Sequence, residues 1–320
     1  MYDIVRVIFI LALFALAGVR ARALEAPTAV VAAVQCADSR YVPANYVKVF
    51  SDEFNEKQLD TAKWWTRLVY ENGTLDHLND EQQRYAENGN HVMSGRSLIL
   101  TAKKTDNRPD GVDYQSGMIR SKTTFKYGYF ETRAKLPSAL GVWPAFWLNS
   151  AARSSDGKLA WPPEVDILEM VNNGVEDTTH MLHMGAMSNG PQDLRVLYTD
   201  QNFDQKWNFW SAPFSFSDDF HVFSGLWESD NSISIYVDGR LLYKAAYAWA
   251  YDDKTPAGFA HVILNLAIGG AKWAGRHGVD AAAFPQGFEI DYVRVYQKAG
   301  SKMIGRDTTG TNLCPPDGGC

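Results

Sequence analysis

Cysteine is scarce in this chain: there are three in 320 residues, Cys36, Cys314 and Cys320, all near the ends. A core built on disulfides is thereby excluded. No CxxC or HxxxH spacing occurs, which argues against a zinc site. In an oxidising compartment one pair of the three would staple an end and leave one thiol over. Cys314 with Cys320 closes a short loop, Cys36 with either partner ties the termini together, and all three pairings stay open. Blocks of like charge are also missing. Lys and Arg number 31 against 37 Asp and Glu, for a net charge of −6, and no basic stripe is present. Nucleic acid is therefore not an expected partner. Long amphipathic helical patterns are absent. The apolar run from Val7 to Val19 is too short for a comfortable membrane span. With Arg6 before it and Ala21-Arg22-Ala23 after it, this run reads as a secretory signal with a small-x-small cleavage site. Asp3 is an unusual companion in that basic region, so an uncleaved anchor is the alternative. The expected address is secreted or periplasmic. The expected state is a monomer without membrane contact once the signal is removed.

Aromatic residues are abundant instead, at 13% with 10 Trp and 15 Tyr. Either a carbohydrate-binding surface or a large β core would use them. Strand signals run through the chain. Ser97–Ala102 is one. Tyr127–Leu136 alternates, with Phe130, Ala134 and Leu136 on one side and Tyr129, Glu131, Arg133 and Lys135 on the other, the pattern of a half-buried strand in an antiparallel sheet. Ile233, Ile235 and Val237 alternate with Ser232, Ser234 and Tyr236 before the hairpin signal Asp238-Gly239. Val262–Ile268 is a continuous apolar run that suits a strand buried on both faces. Glu289–Tyr296 closes the series. Many strands with Gly, Asn and Asp turns predict an all-β protein, a two-sheet antiparallel sandwich. The layout predicted is a signal at 1–23, an arm at 24–46, one domain at 47–298 and a mobile tail at 299–320.

The stretch Glu164-Val165-Asp166-Ile167-Leu168-Glu169-Met170 carries three carboxylates among β-branched and aliphatic neighbours. Such neighbours favour a strand, and a strand's side chains alternate between faces. Glu164 and Asp166 then share one face. Glu169 falls on the other, in the core, where a charge is costly. One β-bulge between Asp166 and Glu169 would restore it to the acidic face. The two glutamates would then be effectively four positions apart, roughly 13 Å between Cα atoms. By leaning together they could bring their carboxyl groups to about 5–5.5 Å, the spacing of a retaining glycosidase. An ordinary acidic strand face is the plainer reading. Against it, three acids crowded on one face repel, and a merely solvated face mixes signs. Trp143 and Trp147 sit four apart in Gly141–Leu148 and share a face, as sugar platforms or as core. Trp161 precedes the acids in a loop.

With these residues placed, the chain resembles glycoside hydrolase family 16, from about Phe50 to Tyr296. Glu164, Asp166 and Glu169 match the pattern E-x-D-x-x-E, and Gly141–Leu148 matches G-x-W-P-A-F-W-L. Tyr127–Glu131 resembles the Y-G-x-F-E strand and Asp291–Tyr296 the closing strand. The resemblance implies a concanavalin A-like β-jelly roll with a concave substrate cleft. It implies Glu164 as nucleophile, Glu169 as general acid/base and Asp166 as an assistant between them. The bulged spacing points to the laminarinase, agarase and carrageenase branches. The tryptophan block, and the lack of clustered Arg or Lys beyond scattered candidates such as Arg120 and Arg195, point among them to a β-1,3-glucanase that also accepts β-1,3-1,4-glucan. Galactan or bacterial exopolysaccharide is the alternative substrate, and a noncatalytic glucan-binding module the alternative class. Substrate contacts are expected from Trp143, Trp147, Trp161, His183 and Gln82. An aromatic is usual where Met184 stands, which bears on the sugar contacts. No cofactor is needed for catalysis. A structural Ca²⁺ is implied at Glu53 and Gly95, through carbonyls, and at the Asp291 carboxylate, since oxygen ligands suit that ion.

Overall fold

The computed structural model describes residues 39–66, 80–87, 89–106, 112–152, 161–188, 194–250, 257–301 and 303–306. The signal segment and the three cysteines lie outside the described residues. Two large sheets face each other around one aliphatic and aromatic core. Among the described residues no helix is long and apolar enough to cross a membrane.

The sheet that matters for chemistry runs through Phe209–Ser211, Met181–Met187, Glu164–Glu169, Val142–Ser150, Ala260–Ile268 and Met118–Ser121, in that order. These strands pair antiparallel. At its centre Ala260–Ile268 is buried at all nine positions, as its unbroken apolar run implies. The opposing sheet carries Ser232–Val237, His221–Glu228, Gly128–Lys135, Gln286–Lys298 and Leu98–Lys104 side by side. Trp64, Trp210 and Trp227 are fully buried, so part of the aromatic excess is core. Trp161, Trp207 and Trp273 stay exposed.

The acid strand is irregular where its parity requires. On one side Asp166 pairs with Gly185 and Glu169 with His183, three steps against two. On the other side Trp147 pairs with Asp166 and Phe146 with Leu168, one step against two. Ile167 is the residue without a partner on either neighbour. Ile167 and Leu168 both enter the core, while Glu164, Asp166 and Glu169 are only half-buried. The facing sheet makes room for the extra side chain. A Cβ at Gly225 would stand 2.9 Å from both Cδ1 and Cγ1 of Ile167. Gly225→Ala should therefore destabilise the fold by about 1–3 kcal/mol through overpacking. Ile167→Val in the same chain should recover part of that loss. Urea midpoints of the wild type and the two variants check it, and a neutral Gly225→Ala would show that the bulge does not need this hollow.

Two expectations need correction. The outer side of Gly128–Lys135 is not open to water at its first half: Tyr129 and Glu131 are buried. Tyr292 Oη donates to Glu131 Oε1 at 2.9 Å, and Ser39, from the segment read as an arm, also bonds that carboxyl. Long-range cover of this kind leaves no mark in a local alternation. The segment read as a tail continues the fold as well. Ile304–Arg306 pairs with Thr123–Phe125, and Gln297 Nε2 donates to the Met303 carbonyl at 2.9 Å.

Candidate active site

The bulge leaves three carboxyl groups on the side of the sheet away from the core. All three hold their protons more tightly than ordinary carboxyls, with burial as the largest cause. Charge on Glu169 pushes Glu164 and Asp166 further up, and charge on Glu164 adds to Asp166. Crowding of like charges in a poorly hydrated place has this effect generally.

Each glutamate has an indole on it. Trp143 Nε1 donates to Glu169 Oε1 at 3.0 Å, and Trp161 Nε1 donates to Glu164 Oε2 at 3.2 Å. Asn149 also bonds Glu164 and favours its charged form. Trp143 is nearly buried because Trp273 stacks on it, with ring centroids 5.2 Å apart and planes at 23°. Trp273 belongs to the helical turn Gly270–Ala274, which follows the Ala260–Ile268 strand. Trp147 shares the face of Trp143, as expected, but its Nε1 donates to Asn265 Oδ1 at 2.7 Å. Asn265 Nδ2 in turn donates to Tyr85 Oη at 2.9 Å. The floor beside the acids is thus a hydrogen-bonded row of aromatic and amide groups.

His183 stands across the strand from Glu169. Its Nε2 is 2.7 Å from Asp177 Oδ1, and its ring packs edge-on against Phe209. Asp177 is held by a loop in which Asn173 Oδ1 accepts from the backbone N–H groups of Val175, Glu176 and Asp177. Met184 points the other way, into the core. The departure at that position therefore does not touch the acid face. Gln82 lies beside Gly269, and its N–H donates to the Ile268 carbonyl at 2.7 Å, which sets it at the end of the strand nearest Trp143. Gln83 is buried, and its Oε1 accepts from the Ile268 N–H, a structural role.

So Trp143, Trp161 and His183 gather at the acids, Trp147 lies on the same face, and Gln82 stands at the margin. Asn149, Asn265, Tyr85, Trp273 and Asp177 were not expected. Asn265 had a signal, being the one polar residue of Val262–Ile268.

The residues expected to hold calcium meet at one junction of the opposing sheet. Asp52 pairs with Val293, and Met93 and Ile290 both pair with Leu98, so Glu53, Gly95 and Asp291 lie around the same place. The ligands expected at Glu53 and Gly95 are backbone carbonyls, whereas the one expected carboxylate, that of Asp291, is committed to an arginine, as is the Glu53 side chain. Arg133 Nη1 is 2.8 Å from Asp291 Oδ2, and Arg294 bonds both Glu53 oxygens at 2.9 and 2.6 Å. A guanidinium on the Asp291 carboxylate opposes a second cation there. Among the described residues there is no group of three or more His, Cys, Asp or Glu that could hold a metal ion.

Comparison with known proteins adds to the geometry. Residues 45–298 match the family model described as "Beta-porphyranase A-D, GH16 domain". The chain is 31% identical over 269 residues to "Glucan endo-1,3-beta-glucosidase A1" of Niallia circulans, covering 78% of this chain but only 38% of that one. It is 32% identical over 266 residues to "Beta-glucanase" of Rhodothermus marinus, covering 78% of this chain and 84% of that one. Among solved structures, SCLam, "a non-specific endo-beta-1,3(4)-glucanase from family GH16", superposes with a TM-score of 0.63 at 30% identity, covering 80% of this chain and 93% of that one.

Proposed function

The chain belongs to glycoside hydrolase family 16, and from that membership we propose a retaining endo-glycosidase acting on laminarin-type β-1,3-glucan and on mixed-linkage β-1,3-1,4-glucan. Glu164 attacks the anomeric carbon as the glycosidic C–O bond breaks, giving a glycosyl ester on Glu164. Glu169 gives its proton to the departing oxygen. Glu169 then takes a proton from water, and that water displaces Glu164 with restored configuration. Asp166, whose proton burial and the charge of both neighbours hold more tightly than usual, stands between the glutamates and, when protonated, assists by donating to the Glu164 carboxylate.

What supports the reading above all is the unpartnered Ile167, because without it Glu169 would point into the core. The division of labour between the glutamates rests on the family pattern. Each has an indole donor and one further stabilising neighbour, while charge on Glu169 raises Glu164 further, so the electrostatics do not by themselves make Glu164 the nucleophile. The address carries over as a proposal too: a secreted or periplasmic enzyme meets polysaccharide outside the cell.

Two observations favour a second reading, a galactan carrying negative charge. The family model takes its name from β-porphyranases. Arg120 is buried in the same cross-strand row as Ile263 and Trp147, on the acid face. Reducing ends released from laminarin, lichenan, porphyran, agarose and κ-carrageenan separate the two. Release from laminarin or lichenan is expected. Release from a galactan alone would move the substrate assignment and keep the mechanism, and release from none would remove the hydrolase proposal.

A further inference from the structure

The acid strand begins at Glu164 itself. Upstream stand Pro162 and Pro163, which have no N–H to give a neighbouring strand. The ladder therefore stops at Glu164, and the residue opposite, Met187, is the last of Met181–Met187. Ladder ends are where strands fray. A reacting group shifted by about 1 Å can lose about 10²-fold in rate. The end of the strand that carries Glu164 thus needs a hold that its own ladder does not supply.

Tyr247 supplies one from across the sandwich. It follows Arg240–Ala246, a strand paired with Ser232–Val237 of the opposing sheet, and it is buried. Its Oη lies 3.0 Å from the Glu164 carbonyl oxygen and 3.1 Å from that of Met187. Both carbonyls accept, and the phenol has one hydrogen, which they share. The ring is fixed in turn. It meets Trp249 edge-on at 6.1 Å between centroids, and Trp249 lies 4.8 Å from the buried Trp227. The backbone on either side is tied down as well. The Tyr247 N–H donates to the Asn231 carbonyl at 2.6 Å, and Ser188 Oγ donates to the carbonyls of Ala248 and Ala250. The phenol also stays a donor, because burial, and then the charges of Asp166 and Glu164, hold its proton well above the ordinary range.

We propose that Tyr247 is a positioning residue, whose hydroxyl clasps the Glu164 and Met187 carbonyls and so fixes the nucleophile's end of the acid strand from the opposing sheet. This rests on the reading of Glu164 as the nucleophile.

Hydrogen exchange tests the clasp without any substrate. In Tyr247→Phe, which keeps the ring, peptides spanning residues 164–170 and 181–188 should exchange faster than in the wild type, while those from Gly128–Lys135 should not. Unchanged exchange along the acid strand would overturn the proposal, whatever the substrate proves to be. On the responsive glucan the same variant should lose about 10–100-fold in kcat with KM little changed. On an aryl glycoside with an acidic phenol, kcat/KM should fall by the same factor, because the nucleophile and not the proton donor is displaced. Tyr247→4-aminophenylalanine offers one N–H to each carbonyl and should restore most of the rate. A lowered melting temperature with kcat at the wild-type value would mean that Tyr247 only supports the fold. A raised KM with kcat unchanged would mean that it shapes the sugar site instead. Either result overturns the proposal, and both leave the glycosidase reading standing.

Discussion

Glu164→Gln should lower kcat on the responsive glucan by about 10⁴-fold or more, about 5.5 kcal/mol of transition-state stabilisation. The amide keeps the shape of the carboxylate but cannot attack the anomeric carbon. Lost folding would mimic this loss, and the electrostatics supply the control. Glu164 in the folded chain holds its proton above the ordinary value, chiefly through burial and then through Glu169. An acid whose folded pKa is raised destabilises the fold as pH climbs from its unfolded value through its folded one. Replacing it by a neutral amide removes that cost. The variant should melt no lower than the wild type at pH 7, and its advantage should shrink in acid. A kcat near the wild-type value would reject Glu164 as the nucleophile.

The second large effect concerns Glu169. Glu169→Ala removes the proton donor and should cost about 10²–10⁴-fold on a glucan, whose leaving oxygen needs protonation. On an aryl glycoside with an acidic phenol the first step needs no donor, so the loss should be much smaller there. Deglycosylation then lacks its base, and azide, which needs none, should raise the rate and appear in the product as a glycosyl azide. Equal loss on both substrates, with no response to azide, would place Glu169 outside the acid/base role.

The chain's local patterns made much of this legible. Three acids with a parity conflict among Val, Ile and Leu predict a bulge, and the register has one at Ile167. The spacing of Trp143 and Trp147 puts them on one face, and the apolar run to Ile268 is buried throughout. Parity also contains what was overlooked at Met184: next to His183 on a strand, it has to face the core. What stayed hidden depends on chain segments far apart. Gly225 is one glycine among 25 until the other sheet lays Ile167 upon it. Asp177 looks like any loop acid until its loop folds back on His183. Tyr85 reaches Asn265 across 180 residues of sequence, and Trp273 comes to Trp143 only because a turn follows the central strand. Ser39 and Ile304–Arg306 look like loose ends by composition, yet join the fold through distant partners.

The proposed chemistry needs the extra residue of the acid strand to set two glutamates on either side of a sugar bond, close enough for covalent catalysis. Incubation with a 2-deoxy-2-fluoro laminaribiosyl fluoride, followed by peptide mapping, tests it most directly. One glycosyl unit per chain is expected, on the peptide bearing Glu164 and on that side chain. A label on Asp166 or Glu169, or steady turnover to the inverted sugar without any label, would contradict it.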